Sequence, residues 1–378
     1  MSSLKAGLIG AGKTARLMHL RWYDSNPHVE LVSVADADKQ LAEGVARDFG
    51  MDGVYMDVEE MVSREDLDLV SIVTPTFLHY EHAMAAIEEG VNVLLEKPMA
   101  ATLEQCDEML EAVEENDVKL QLGFQKRYNQ GVKKVKELIE EGRIGIPHYA
   151  FSHWTFFMNS EMLSAWKNSW RNTLKGGGGV FQELEHWVDA FRYLLDDEVE
   201  SVSGEVNIVD PGMNLEDHAV ANLRFGKGAI ATVETSFFGP SKNIDTGYPG
   251  QIENCGIYGT DGAIMFTIPD WKNPAPPEVR VFDGESNAWE DICFEVDMLD
   301  FSHYHYKREI DSFVDYVRKD KSPSPDGVDG RKTQEIVFAL YEAWYRGETL
   351  RLPLEETPPK DRIFERLKEE GLAGRRSN

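Results

Sequence analysis

Short apolar runs separated by amphipathic stretches organise the first 125 residues. Ala6–Ile9, Leu31–Ala35, Leu69–Val73, Val91–Leu95 and Lys119–Gly123 show little alternation of apolar and polar positions. That is the pattern of parallel strands buried on both faces. Helical spacing fills the gaps: Phe77–Glu89 carries Leu78, His82, Ala85, Ala86 and Glu89 on one period. Thr102-Leu103-Glu104-Gln105 reads as a helix start, an N-cap with a glutamine three residues on. Strand–helix alternation of this kind predicts a doubly wound parallel sheet with helices on both faces.

The rhythm changes after Gly123. A helix pattern over Tyr128–Glu141 stops at Gly142, and a strand follows at His148–Phe156. An aromatic, polar stretch, Phe157–Lys175, ends in the run Gly176-Gly177-Gly178-Gly179 and leads into a helix pattern over Val180–Leu195. Strand patterns then dominate: Val199–Val209, Ala219–Phe225, Ala229–Phe237, Gln251–Tyr258 and Ala263–Ile268. Gly226-Lys227-Gly228 and Thr260-Asp261-Gly262 are hairpin signals between them. Helices return at His303–Arg318 and Thr333–Arg346, with Pro323-Ser324-Pro325 between them. The prediction is an α/β chain: a doubly wound domain over 1–125, then 126–354 as an α+β domain with a large, open, mostly antiparallel sheet, and 355–378 as a charged extension. An open sheet covered on one face leaves the other to water or to a partner.

Composition narrows the function. The formal net charge of −28 repels nucleic acid and anionic membranes, so neither is expected as a partner. The same acidity fits a saline cytoplasm, where salt screens self-repulsion. No apolar run approaches the ~20 residues of a membrane span. Met1-Ser2-Ser3-Leu4-Lys5 lacks a signal-peptide pattern, so a cytoplasmic location is expected. The three cysteines, Cys106, Cys255 and Cys293, are too scattered for a disulfide framework or a metal cluster, and no metal is expected.

Four groups of residues carry candidate chemistry. Gly10-x-Gly12-x-x-Ala15 follows a strand and opens a helix, with Lys13 and Thr14 in the turn. Such a turn holds a dinucleotide pyrophosphate on backbone N–H groups. Asp36 ends the second strand 24 residues after Gly12 and suits the ribose hydroxyls of NAD. It disfavours the 2′-phosphate of NADP. The plain alternative is a tight turn without a cofactor. Thr74-Pro75-Thr76-Phe77-Leu78-His79 follows the predicted Leu69–Val73 strand, over the crevice, or is an ordinary loop into a helix. Glu96-Lys97-Pro98 ends another strand, where a lysine is rare unless it has work. Beside a cationic nicotinamide Lys97 would lose basicity and share a substrate proton; otherwise it is a solvated loop lysine. Gln182, Glu183, His186 and Asp189 share one face of the predicted helix, with His186 a natural proton acceptor or simply a structural histidine. Trp154, Phe156, Phe157, Trp166, Trp170 and Arg171 crowd the preceding loop as a sugar-contacting surface or as core.

Taken in order, these segments resemble the Gfo/Idh/MocA oxidoreductases, named for glucose–fructose oxidoreductase and inositol dehydrogenase. The resemblance spans residues 4 to 353. It includes Gly123-Phe124-Gln125-Lys126-Arg127-Tyr128, Glu141-Gly142-Arg143-Ile144-Gly145 and the closing Asp329-Gly330. It implies a Rossmann domain joined to an α/β domain, and NAD- or NADP-linked oxidation of a sugar or cyclitol hydroxyl. It implies that Lys97 is the catalytic lysine and His186 the histidine near the reacting carbon. Thr74, Pro75 and His79 would lie along the cofactor, Glu96 and Gln125 near the nicotinamide ribose, and Trp170 and Arg171 at the substrate. It also implies a homodimer or homotetramer. Many relatives carry an aspartate four residues before this histidine; here that position is Gln182, with Glu183 beside it, and either one is left to support His186. Two other readings share these residues: a lyase or glycosidase that uses tightly held NAD for transient oxidation, and a non-catalytic NAD- or sugar-binding regulator.

Overall fold

The structure is a computed structural model that describes residues 3–155, 157–176, 178–239, 252–268, 277–294 and 304–370. Phe156, Gly177, Gln251, His303 and the last eight residues of the tail, which the sequence reading includes, lie outside the described residues. The chain divides into two compact units, the first ending at Gln125 and regaining the residues from 303 to Gln334, the second holding the rest.

In the first unit, β1 (Leu4–Ile9), β2 (Val29–Ala35), β3 (Gly53–Tyr55), β4 (Leu69–Ile72), β5 (Asn92–Leu95) and β6 (Leu120–Leu122) form a parallel sheet in the order β3-β2-β1-β4-β5-β6. Alternate residues serve opposite faces, which is why the strands read as continuous apolar runs. Ile9, Ile72, Val93 and Leu95 pack with Ala83, Ile87, Cys106 and Met109 on one face, and Leu8 and Val34 pack with Ala15, Leu20, Ala42 and Val45 on the other. Thr102 caps the Leu103–Asn116 helix by accepting from Gln105 N–H, and Gln105 Oε1 accepts from Ala101 N–H in return. The expected domain limits shift in one respect. The Tyr304–Lys319 helix packs its Ile310, Phe313 and Val314 with Ala6, Trp22, Tyr23, Leu69 and Leu94, so it completes this first unit rather than the second.

The second unit is built on nine strands: β7 (Pro147–Thr155), β8 (Val199–Asn207), β9 (His218–Phe225), β10 (Ile230–Ser236), β11 (Ile252–Gly259), β12 (Gly262–Ile268), β13 (Glu278–Asp283), β14 (Ala288–Asp291) and β15 (Leu350–Arg351). Their order is β14-β13-β12-β11-β7-β10-β9-β8-β15, antiparallel except where β7 meets β10. One set of alternating residues, including Ala150, Ser152, Ala231, Val233, Ala221 and Leu223, is buried. The other set, including Tyr149, Phe151, His153, Glu234, His218 and Tyr258, stays partly exposed. The tail is more than an appendage: the Lys360–Glu370 helix buries Ile363, Phe364 and Leu367, and Phe364 stands edge-on to Tyr341 at 5.3 Å.

The continuous helix expected over Val180–Leu195 is two helices, Val180–Glu183 and His186–Leu195. No glycine or proline marks the break. The two helices have separate anchors: Glu216 accepts from the first turn, and Arg127 pairs with Asp189 in the second helix.

Candidate active site

Strand register brings the first unit's predicted residues to one edge. Ile9 pairs with Ala35 and with Ile72, Ile72 with Leu95, and Leu95 with Leu122. The residues that follow, Gly10, Asp36, Val73, Glu96 and Gly123, therefore lie level at the C-terminal edge of a parallel sheet, where doubly wound folds bind ligands. β1 and β4 adjoin there, the point where strand order reverses.

The turn after β1 is shaped for close approach. Gly10 has φ +96°, and a Cβ there would sit 2.8 Å from the Val73 carbonyl oxygen. A Cβ on Gly12 would meet nothing within 4 Å, so the chain leaves room beside the backbone at that point. Lys13 and Thr14 are exposed at the start of a π-helical turn, Ala15–Leu20. Asp36 accepts from Ala11 N–H at 2.7 Å and from Asp38 N–H at 2.8 Å, which fixes the carboxylate beside the turn. Open space beside a glycine turn and a fixed acid at the end of β2 fit the pyrophosphate and ribose of NAD.

His79 lies inside the first unit. It is buried, with Nε2 2.9 Å from the Thr74 carbonyl oxygen and Nδ1 2.7 Å from that of Pro98. Burial holds its pKa below the usual imidazole range despite those two acceptors. It stands between the Thr74-Pro75 loop and the loop after β5, and as a neutral ring with one N–H it donates to only one of the two oxygens. Thr74 Oγ1 lies 3.2 Å from His82 Nδ1. Glu96 Oε1 is 3.1 Å from His19 Nε2, while Lys97 N–H donates to Oε2 at 3.2 Å. Burial alone would raise the Glu96 carboxyl, but His19 and the nearby Lys97 and His79 hold it below the usual carboxylate range. His19 Nδ1 continues to Ser71 Oγ at 3.2 Å, and Ser71 to Tyr23 Oη at 2.8 Å, so the acid of Glu96-Lys97-Pro98 rests on a buried polar chain. Lys97 itself is partly exposed. Gln125, 7% exposed, donates from Nε2 to Tyr306 Oη at 3.1 Å.

In the second unit the remaining predicted residues separate by role. Asp189 takes a two-pronged ion pair from Arg127, Nε to Oδ2 at 2.8 Å and Nη2 to Oδ1 at 2.6 Å, and is structural. Glu183 faces Arg171 at 3.5 Å, and Arg171 lies over the Trp170 ring at 4.4 Å. Gln182 is 2% exposed, and neither amide atom has a hydrogen-bond partner among the described residues. His186 opens the second helix, 4% exposed, with its ring 5.9 Å from Trp154. Lys126 lies over the other rings of this group, 4.2 Å from Trp154 and 5.1 Å from Trp187, and pairs with Glu253.

Two family models match the chain: an oxidoreductase family with an NAD-binding Rossmann fold over residues 4–124, and the GFO/IDH/MocA C-terminal domain over 132–265. The chain belongs to the Gfo/Idh/MocA oxidoreductase family. Among relatives in this family, a scyllo-inositol 2-dehydrogenase (NAD(+)) of Bacillus subtilis is 28% identical, over 93% of this chain and 97% of its own. A D-glucoside 3-dehydrogenase of Escherichia coli is 26% identical, over 93% and 98%. A solved levoglucosan dehydrogenase, in complex with NADH and L-sorbose, superposes with a TM-score of 0.82 at 24% identity, covering 93% of this chain and all (100%) of that one; at that identity it speaks to the fold. Among the described residues no helix is long and apolar enough to cross a membrane.

Sequence reading missed two buried polar residues that contact the predicted segments. His19 falls inside an apolar helix pattern, where a histidine reads as core. Glu216 precedes a strand 37 residues from the turn it contacts, and no local pattern signals it.

Proposed function

We propose that this chain is an NAD-linked dehydrogenase that oxidises a secondary or anomeric hydroxyl of a sugar, sugar acid or cyclitol. The observation that carries the reading is the alignment of Gly10, Asp36 and Glu96-Lys97 at one sheet edge, in a family whose relatives include inositol and glucoside dehydrogenases. Bound NAD supplies the hydride acceptor. Asp36 takes the ribose hydroxyls and prefers NAD to NADP. The first-unit loops ending in Thr74-Pro75 and Glu96, with Gln125, line the cofactor; His79 stands between those loops, and His19 contacts Glu96. Lys97 and His186 handle the proton of the reacting hydroxyl. Gln182, rather than Glu183, stands in for the acid that many relatives place before the histidine, because Glu183 is turned to Arg171. Trp170 and Arg171 serve the substrate.

The test is a panel of sugars, sugar acids and cyclitols scored by NADH absorbance, with NAD and NADP in parallel. Steady NADH formation with one class of polyol is expected. Conversion of a substrate without net NADH would overturn the reading in favour of transient oxidation, and failure of every polyol to turn over would favour a regulator. Lys97→Ala should lower kcat by ~10²–10⁴-fold, the usual worth of a positioned acid–base group, with little change in NAD affinity. A Lys97→Ala enzyme near wild type would remove that residue from the chemistry.

A second copy of the chain is the proposed partner, on the partly exposed face of the nine-stranded sheet. That face gathers Tyr149, Phe151 and Tyr258 within 6.1 Å of one another by ring centroid, with Ile230 41% exposed nearby on β10.

A further inference from the structure

The glycine turn that opens the Val180–Glu183 helix is held from outside itself. Gly179 N–H donates to Glu216 Oε2 at 3.1 Å, Phe181 N–H donates to Oε1 at 3.0 Å, and Val180 N–H donates to the Glu216 carbonyl oxygen at 2.9 Å. Three consecutive backbone donors thus end on one residue. A helix start is ordinarily closed by a short polar side chain at its own N-cap. Here the N-cap is Gly179, which has no side chain to offer.

The fit demands glycine. A Cβ on Gly179 would lie 2.1 Å from the Glu216 carbonyl oxygen and 2.3 Å from Oε2. A Cβ on Gly178 would lie 2.2 Å from Gln182 Oε1 and 2.8 Å from Tyr341 Oη. Tyr341, on the Gly327–Arg346 helix, donates its hydroxyl to Glu216 Oε1 at 2.8 Å and fixes the carboxylate in turn. Glu216 is fully buried, and burial pushes its carboxyl up to about 7 against the pull of the Tyr341, Phe181 and Gly179 donors. A carboxylate taken out of water is a costly way to close one helical turn. The turn, however, carries Gln182 and leads directly to His186.

We propose that Glu216 is a positioning residue: by gripping the Gly178–Phe181 turn it sets where Gln182 and His186 stand for the reaction, and Tyr341 orients it. The roles of Gln182 and His186 rest on the dehydrogenase reading above; the grip on the turn does not.

The test uses the full-length protein with Glu216→Gln, Glu216→Ala and Tyr341→Phe. Amide hydrogen exchange of the 178–190 segment reports the turn without any need for activity. In Glu216→Ala that segment should exchange at least ~10-fold faster, while strands β8 to β10 keep their protection. In kinetics kcat should fall ~10- to 100-fold, as expected for a reacting group misplaced by about an ångström, with the KM for NAD unchanged. Glu216→Gln should recover most of both effects, because its amide oxygen still accepts from one of the turn's N–H groups. Tyr341→Phe should lie between wild type and Glu216→Ala. Unchanged exchange at 178–190, exchange raised equally across the second unit, or wild-type kcat despite a loosened turn would each overturn the proposal. If the wild type oxidises no polyol, the dehydrogenase reading falls, and the exchange measurement still decides whether Glu216 holds the turn.

Discussion

Ala11 N–H donates to Asp36 Oδ2 at 2.7 Å, so the acid at the end of β2 and the glycine turn after β1 form one rigid element. Asp38 N–H holds the other carboxylate oxygen at 2.8 Å. A carboxylate fixed by two backbone donors cannot swing away from an incoming 2′-phosphate, and Ala37, the next residue, offers no cation to hold one.

The wild type should therefore show a higher kcat/KM with NAD than with NADP. Asp36→Ser combined with Ala37→Arg should narrow that gap by about tenfold or more, equivalent to ~1.4 kcal/mol. Asp36→Asn separates two contributions, because its carbonyl oxygen still accepts from Ala11 N–H while the charge is gone. Steady-state kinetics with both cofactors checks this, and a wild type that prefers NADP contradicts it.

Gln182 and Glu183 are neighbours in sequence with opposite environments. Glu183 shares a partly exposed ion pair with Arg171, the kind of contact worth ~0–1 kcal/mol. Gln182 is buried on the turn that Glu216 grips. Gln182→Ala should lower kcat ~10- to 100-fold, the scale of a lost positioning contact, whereas Glu183→Gln should change kcat by less than about threefold and act mainly on substrate KM. The reverse order would return Glu183 to the role beside His186.

The sheet edge was legible because it depends on short-range signals. β1, β2, β4, β5 and β6 are apolar runs, and a glycine or an acid follows all of them but β4, which runs into Val73-Thr74-Pro75. β3 was not, since Gly53–Tyr55 is three residues long at an edge with Val54 exposed. β14 escaped for a similar reason: all four of its residues are exposed, so no apolar period marks it. The return of Tyr304–Lys319 to the first unit is invisible locally because an amphipathic helix does not say which core its apolar stripe will meet.

On the open face of the nine-stranded sheet, Tyr258 and Ile230 are 39% and 41% exposed and flank the Tyr149–Phe151 stack. If a second copy covers this face, Tyr258→Arg with Ile230→Lys should convert the oligomer to a monomer, because two buried cations would replace apolar contact. Light scattering at micromolar protein should give a multiple of 42.8 kDa for the wild type and about one chain mass for the variant. A wild type that already runs at one chain mass would remove the interface.

The same face carries an acid held between two histidines across three strands. Glu234 on β10 lies 2.6 Å from His153 Nδ1 on β7 and 3.5 Å from His218 Nε2 on β9. The hydrogen bond from His153, then that from His218, hold the Glu234 carboxyl at about 2, below its ordinary 4.5, although burial opposes this. A carboxylate whose folded pKa is depressed adds stability above its unfolded pKa, and that stability is lost as pH falls through the folded value. The loss should therefore run from about pH 4.5 down to about pH 2. Other acids titrate in the same range, so the informative quantity is the difference between wild type and Glu234→Gln, whose amide has no proton to gain. Melting temperatures measured from pH 6 downward should show the wild type ahead of Glu234→Gln at the start and the two converging as pH approaches ~2. The side chains of His153, Glu234 and His218 are 45%, 30% and 36% exposed, so added salt should shrink the starting gap. A gap that stays constant across the acid range would show that the two histidines do not hold Glu234 in its ionised form.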